Sequence, residues 1–210
     1  RVSQQQLAPS PLFLGAGGAS FSNGQAISIS ALNPYNPFGK GLIGNSVTHT
    51  TTNTQTHVVT KPPACYTANT CNELSFLGRR PLELGNRVFS QEVASLAFRG
   101  GFKGYFNMLG NEWDWDANFN YGKNYNTTLT NGLVNTERLQ TALGAANLDG
   151  TNTAPCTING QPAPGCVPFN IFGGYNLATG QGSITPAMAR YVLYESRSEE
   201  HTSELQSRHN

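Results

Sequence analysis

Between Trp113 and Tyr125 the chain reads WDWDANFNYGKNY, with apolar or small residues alternating with acids, amides and glycine. The odd positions are Trp113, Trp115, Ala117, Phe119, Tyr121, Lys123 and Tyr125; the even ones are Asp114, Asp116, Asn118, Asn120, Gly122 and Asn124. Successive side chains of a strand point to opposite faces, so the spacing predicts a strand with one face of rings and one wet face. A second alternating run precedes it. In VASLAFRGGFKGYF the even positions are Ala94, Leu96, Phe98, Gly100, Phe102, Gly104 and Phe106, and the odd ones include Ser95, Arg99, Gly101 and Lys103. Between the runs, NMLGNE (Asn107 to Glu112) is short and carries Gly110, which suits a hairpin turn.

Folding the runs across that turn sets Phe106 opposite Trp113, Gly104 opposite Trp115, Phe102 opposite Ala117, Gly100 opposite Phe119 and Phe98 opposite Tyr121. Each ring beyond the first pair then meets a small or compatible neighbour. The same register puts Lys103 opposite Asp116 and Arg99 opposite Asn120. A slip by one residue would place charges among rings. Two rows follow. Phe98, Phe102, Phe106, Trp113, Trp115, Phe119 and Tyr121 form the oily row; Arg99, Lys103, Asp114, Asp116, Asn118 and Asn120 form the wet row.

Such a ribbon needs two solvents. In a soluble sandwich the oily row is core; in an outer-membrane barrel it meets lipid while the wet row lines the lumen. Length separates the two. Trp113 to Tyr125 rises roughly 40 Å, or about 28 Å when tilted by ~45°, close to a bilayer's hydrocarbon thickness. An ordinary sandwich strand has only about 5–6 residues. Trp113, Trp115 and Tyr105 lie at one end and Tyr121 and Tyr125 at the other, as in the aromatic belts at membrane interfaces. The pattern therefore predicts lipid-facing rings and a lumen-facing polar row.

Elsewhere the periodicity is poor. Residues 1–85 read as mostly loop with short strands such as AISISAL (Ala26 to Leu32) and a Thr/Asn-rich stretch from Ser46 to Thr60. Residues 86–126 are the transmembrane hairpin. Residues 127–196 read as a long loop with short helices and the start of a further strand. In TERLQTAL, Thr136 is the expected cap, with Leu139 and Leu143 on one face; in ITPAMARYVLYE, Thr185 is the cap and Pro186 the first helical position. Residues 197–210, RSEEHTSELQSRHN, turn abruptly charged. They resemble the translated read-through of a sequencing adapter and are expected to be an irregular tail without function. The chain opens on Arg1 with neither Met nor signal peptide, so it reads as a piece of something longer.

Composition narrows the class. Only 12% of the 210 residues are charged, 10% are aromatic and Gly is abundant, which favours an all-β chain. A net charge of +1 gives nucleic acid no electrostatic footing. No apolar run is long enough for a membrane-spanning helix, which does not bear on barrels. Four cysteines permit three connectivities. The local pairs, Cys65 with Cys71 and Cys156 with Cys166, close the smallest loops and suit an oxidising compartment.

Little chemistry is in view. His49 and His57 are eight apart without acidic or thiol neighbours, so surface histidines are expected rather than a metal site. The carboxylates of Asp114 and Asp116 would stand roughly 6–7 Å apart, within glycosidase range, but Lys103 opposite Asp116 argues for an ordinary wall. No nucleophile elbow, phosphate loop or dinucleotide fingerprint is present, so neither enzyme nor cofactor is expected.

NPYNPFG (Asn33 to Gly39), RRPLELGNRVFSQEVASLAFRGGFKGYF with WDWDANFNYGKN, and CVPFNIFGG followed by GSITPAMARYV (Cys166 to Val192) resemble, in that order along Asn33 to about Glu195, segments of bacterial TonB-dependent outer-membrane receptors. The resemblance implies an all-β fold: part of an antiparallel transmembrane barrel of about 22 strands, with long extracellular loops. It also implies an N-terminal plug, a box that engages the inner-membrane energy transducer, and uptake of a scarce bulky solute such as a siderophore, cobalamin or oligosaccharide. No segment here matches plug or box, so the chain reads as a mid-barrel piece whose partners are outer-membrane lipid, the solute and, through the rest of such a receptor, plug and transducer. The two Asn-Pro steps of NPYNPFG suit consecutive tight turns that hold a loop in shape. Tyr35, Phe38, Phe169 and Phe172 are the rings that a ligand at the barrel mouth would meet. A secreted β-sandwich lectin or adhesin is the alternative, with Trp113, Trp115 and Phe119 covered by a second sheet; a passive porin would share the hairpin but lack the loop motifs.

Overall fold

The computed structural model describes residues 1–15, 26–44, 65 and 68–209, with the backbone alone for 202–209. His49, His57 and the whole Thr/Asn-rich stretch lie outside the described residues. Strand accounts for 53% and helix for 11%, so the fold is all-β in character. In chain order the strands are β1 (Val2–Leu7), β2 (Leu12–Gly15), β3 (Gly41–Gly44), β4 (Cys71–Leu74), β5 (Phe76–Arg79), β6 (Arg87–Met108) and β7 (Asn111–Val134). Four strands of two residues follow, β8 (Thr157–Ile158), β9 (Gln161–Pro162), β10 (Tyr175–Asn176) and β11 (Gln181–Gly182), and then β12 (Leu193–His209). The helices are α1 (Thr136–Leu143) and α2 (Pro186–Val192).

The chain forms two compact units. The first holds residues 1–7, 88–131 and 195–210. Its sheet has the order β1-β6-β7-β12 and is open; no barrel closes among the described residues. β6 and β7 pair antiparallel in the register that the two-faced pattern predicts, with Phe106 opposite Trp113, Phe98 opposite Tyr121 and Lys103 opposite Asp116. Pairing runs beyond the patterned region, from Met108 with Asn111 to Val88 with Asn131. The turn is tighter than the six-residue connection NMLGNE: only Leu109 and Gly110 intervene, with φ of 55° and 79°. Two left-handed residues define a hairpin turn whose twist matches its strands.

The segment 197–209, expected to be irregular, is extended and continues β12 alongside β7. Sheet pairing uses main-chain donors and acceptors, which any non-proline residue supplies, so a neighbouring long strand orders polar sequence as readily as apolar.

The second unit holds residues 8–87 and 132–194, most of what the pattern reads as loop. It has its own core, in which Leu14, Ile27, Ile29, Leu139, Leu143, Phe169 and Val192 are fully buried. The secondary structure around that core is fragmentary. β2 pairs antiparallel with β5, β3 parallel with β4, and β8–β9 and β10–β11 are two-residue ladders. AISISAL is no regular strand. Ile29 exchanges two backbone bonds with Leu42, but Ser28 is completed by a side chain: Gln140 Nε2 donates to Ser28 O, and Ser28 N donates to Gln140 Oε1, each at 2.9 Å. An amide group thus replaces a neighbouring strand.

Both helices form where the sequence places them. The cap of α1 is Asn135 rather than Thr136; its side chain accepts from Arg138 N at 3.0 Å, leaving Thr136 at the first helical position. Asn is a better cap than Thr, and the shift by one residue leaves Leu139 and Leu143 on the buried face. In α2, Thr185 Oγ1 accepts from Met188 N at 3.3 Å and Pro186 opens the helix. The disulfides are the local ones, Cys65–Cys71 and Cys156–Cys166.

Candidate functional site

Two features stand out, one in each unit. In the sheet, residues directly opposite in an antiparallel pair share a face, so the register sorts the side chains. Phe98, Phe102, Phe106, Trp113, Trp115, Phe119 and Tyr121 share one face, and Arg99, Lys103, Asp114, Asp116, Asn118 and Asn120 share the other. The rings are open rather than covered: Trp113 is 53% exposed, Trp115 41% and Phe119 41%. That differs from a sandwich, where a second sheet would lie over all three. The rings also pack along the sheet. Phe98 and Phe119 meet edge to face at 6.3 Å, and Trp115 lies across Gly104.

On the wet face, Lys103 and Asp116 are opposite but close no ion pair; the Asp116 carboxylate accepts from Asn118 Nδ2 at 3.2 Å instead. The expected lysine partnership is therefore one of register only. An exposed ion pair contributes about 0–1 kcal/mol, too little to hold a long lysine against hydration. Asp114 and Asp116 stand two apart on this face, with Tyr105 opposite Asp114.

In the second unit the quoted motifs converge. Asn33 is buried; its Nδ2 donates to Leu143 O at 3.1 Å and to Phe169 O at 3.3 Å, while its Oδ1 accepts from Tyr35 N at 2.9 Å. Asn36 repeats the device, donating to Ser30 O and Lys40 O at 2.9 Å each and accepting from Phe38 N at 3.0 Å. NPYNPFG is thus two successive Asn-stabilised turns, tied to the end of α1 and to CVPFNIFGG. A buried ion pair joins the other motifs. Arg79 Nη2 donates to Glu83 Oε1 at 2.5 Å and to Ser183 Oγ at 2.9 Å, and Arg79 Nη1 donates to Asn170 O at 2.9 Å. Burial draws the Arg79 guanidinium below its ordinary value, while the charge of Glu83 and its hydrogen bond act in the opposite sense. Glu83 Oε2 is buried without a partner among the described residues.

The four candidate ligand rings divide. Phe169 is 0% exposed and belongs to the core rather than to the surface, and its own carbonyl accepts from Asn33 Nδ2. Phe38 is 57% exposed and sits edge to face on the half-buried Phe172 at 5.9 Å, with Tyr35 also at the surface. The ion pair Arg79–Glu83 and the clamp Gln140 are absent from the sequence reading. Their i,i+4 spacing and isolated amide carry no signal until the tertiary structure surrounds them. Among the described residues no cluster of His, Cys, Asp or Glu could hold a metal ion. The chain matches no family model, no curated protein and no solved structure.

Proposed function

We propose that this chain is part of a bacterial TonB-dependent outer-membrane receptor, a transporter that takes up a scarce bulky solute such as a siderophore, cobalamin or an oligosaccharide. The carrying observation is the row of exposed rings, from Phe106 and Trp113 to Phe98 and Phe119, on a hairpin whose opposite face is polar. An exposed apolar band of this size is costly in water and suits lipid. A two-residue turn at one end of the hairpin agrees with the short periplasmic turns of such barrels, and the large second unit with an extracellular assembly. The edges of the sheet, β1 and β12, call for further strands, which a complete barrel supplies.

In this reading Arg99, Lys103, Asp114, Asp116, Asn118 and Asn120 line the lumen, and Tyr35 and Phe38 stand where a solute first arrives, with Phe172 buttressing Phe38. Plug and energy transducer belong to the rest of the receptor. The test is the behaviour of the chain in water and in detergent. Refolded from denaturant, it should aggregate in plain buffer and become dispersed with native β-signal in micelles. A monodisperse monomer in plain buffer would sink the transport reading.

A further inference from the structure

On the ring face of the β6–β7 hairpin the single charge between Trp113 and Tyr125 is Lys123, opposite Leu96. Its neighbours in that row are Tyr121, with Phe98 opposite, and Tyr125, with Ala94 opposite. A lysine midway along a lipid-exposed face would be expensive, because its ammonium would lose its hydration. Here its position and its direction both relieve that cost. Lys123 lies ten residues from Trp113, or roughly 33 Å along the strand, and about 23 Å across the bilayer at a ~45° tilt. It therefore sits near the far edge of the hydrocarbon layer when Trp113 marks the near one. Its ammonium stands over the Tyr125 ring, 4.6 Å from the centroid. Tyr125 is two residues further from the turn, so the side chain reaches outward, toward the aqueous rim.

We propose that Lys123 and Tyr125 form a headgroup site for an anionic lipid of the leaflet opposite the turn, Lys123 pairing with the lipid phosphate and Tyr125 packing on the interfacial part of the lipid beneath it. This rests on the membrane reading above and adds its partner and its depth. Ring, cation and apolar neighbours occur together because the three zones of a lipid (phosphate, interface and acyl chain) meet the sheet in that order. Glu92, opposite Thr127, lies one pair beyond Tyr125 on this face and makes no ion pair with Lys123. His201 packs edge-on against Tyr125, with ring centroids 5.1 Å apart.

The experiment floats the full chain with vesicles of phosphatidylcholine, or of phosphatidylcholine with a third replaced by phosphatidylglycerol. Quenching of Trp113 and Trp115 by bromine-labelled acyl chains reports insertion separately, since these are the chain's two tryptophans. The gain in binding from the anionic lipid should be about five-fold larger for the natural chain than for Lys123→Gln, the factor that one interfacial lysine supplies. Lys123→Arg should restore it, and Lys103→Gln, on the other face, should leave it intact. Equal gains for the natural chain and Lys123→Gln, with the tryptophans still quenched, overturn this inference and leave the membrane reading standing. No quenching in either vesicle overturns the membrane reading itself. Loss of the gain when inorganic phosphate is added at matched ionic strength assigns the site to a free anion and also overturns the proposal.

Discussion

Trp115 lies across Gly104 so closely that a Cβ built on the glycine would stand 2.5 Å from the indole Nε1. The pair is cross-strand and directly opposite, and the ring fills the space that a side chain at position 104 would take. Glycine weakens a strand by its entropy and lack of contacts; an overlying ring restores the contacts. Gly104→Val should therefore expel the indole and cost about 1–3 kcal/mol in micelles, read as a lower urea midpoint together with a shifted tryptophan emission. An unchanged midpoint would contradict the packing.

Leu109 offers the opposite sign. It adopts φ of 55° in the hairpin turn, a conformation that a branched side chain enters at a cost, and its side chain is almost wholly exposed. Leu109→Asn, which gives the Asn-Gly pair favoured by this turn, should stabilise the hairpin by roughly 0.5–1 kcal/mol. The measure is again the urea midpoint, with the slope unchanged.

Arg79 and Glu83 are both largely buried, so removing one strands the other. Arg79→Leu should cost about 3–5 kcal/mol in the second unit, and the double replacement of both by leucine should recover part of that loss. Thermal unfolding of the two variants side by side checks it. Equal losses in single and double variants would show that the pair is not coupled.

The Asn33 amide and the Tyr35 and Phe38 rings lie in one motif but differ in role. Asn33→Ala leaves Leu143 O and Phe169 O without their donor and should destabilise by about 1–3 kcal/mol. Replacing Phe38, exposed at the turn's apex, by Ser should move stability by under about 0.5 kcal/mol; if the chain serves the transport we propose, the same change weakens solute capture. Chemical denaturation separates the two.

Asp149 supplies a pH signature. Its carboxylate accepts from Thr151 Oγ1 at 2.7 Å and from Thr151 N at 2.8 Å, and these bonds, the hydroxyl's first, hold its pKa below the ordinary value. A depressed acid contributes stability that is fully present above the unfolded value of about 3.9 and is lost as pH falls through the lower folded value. Carboxyl NMR of the 147–151 turn should show Asp149 titrating below the free amino acid, and Thr151→Val should raise it. A titration at the free value would rule out the turn.

Some of this was legible in the residues themselves. Period-two alternation specified the hairpin, its register, its two faces and the Gly104–Trp115 match, because strand geometry is local and one register alone satisfies both faces. The helices were readable from Pro186, Thr185 and the Leu139–Leu143 spacing for the same reason, with the cap of α1 displaced by one residue. The second unit was not. Its core is assembled from single residues such as Leu14, Ile29, Leu143 and Phe169, up to 155 positions apart, whose backbones are completed by side chains like Asn33 and Gln140. No period marks such a core, because each partner is chosen by proximity in space. Whether Phe169 faced solvent or the interior, whether Arg79 found Glu83, and where the Lys123 ammonium pointed were decided only when the chain closed on itself.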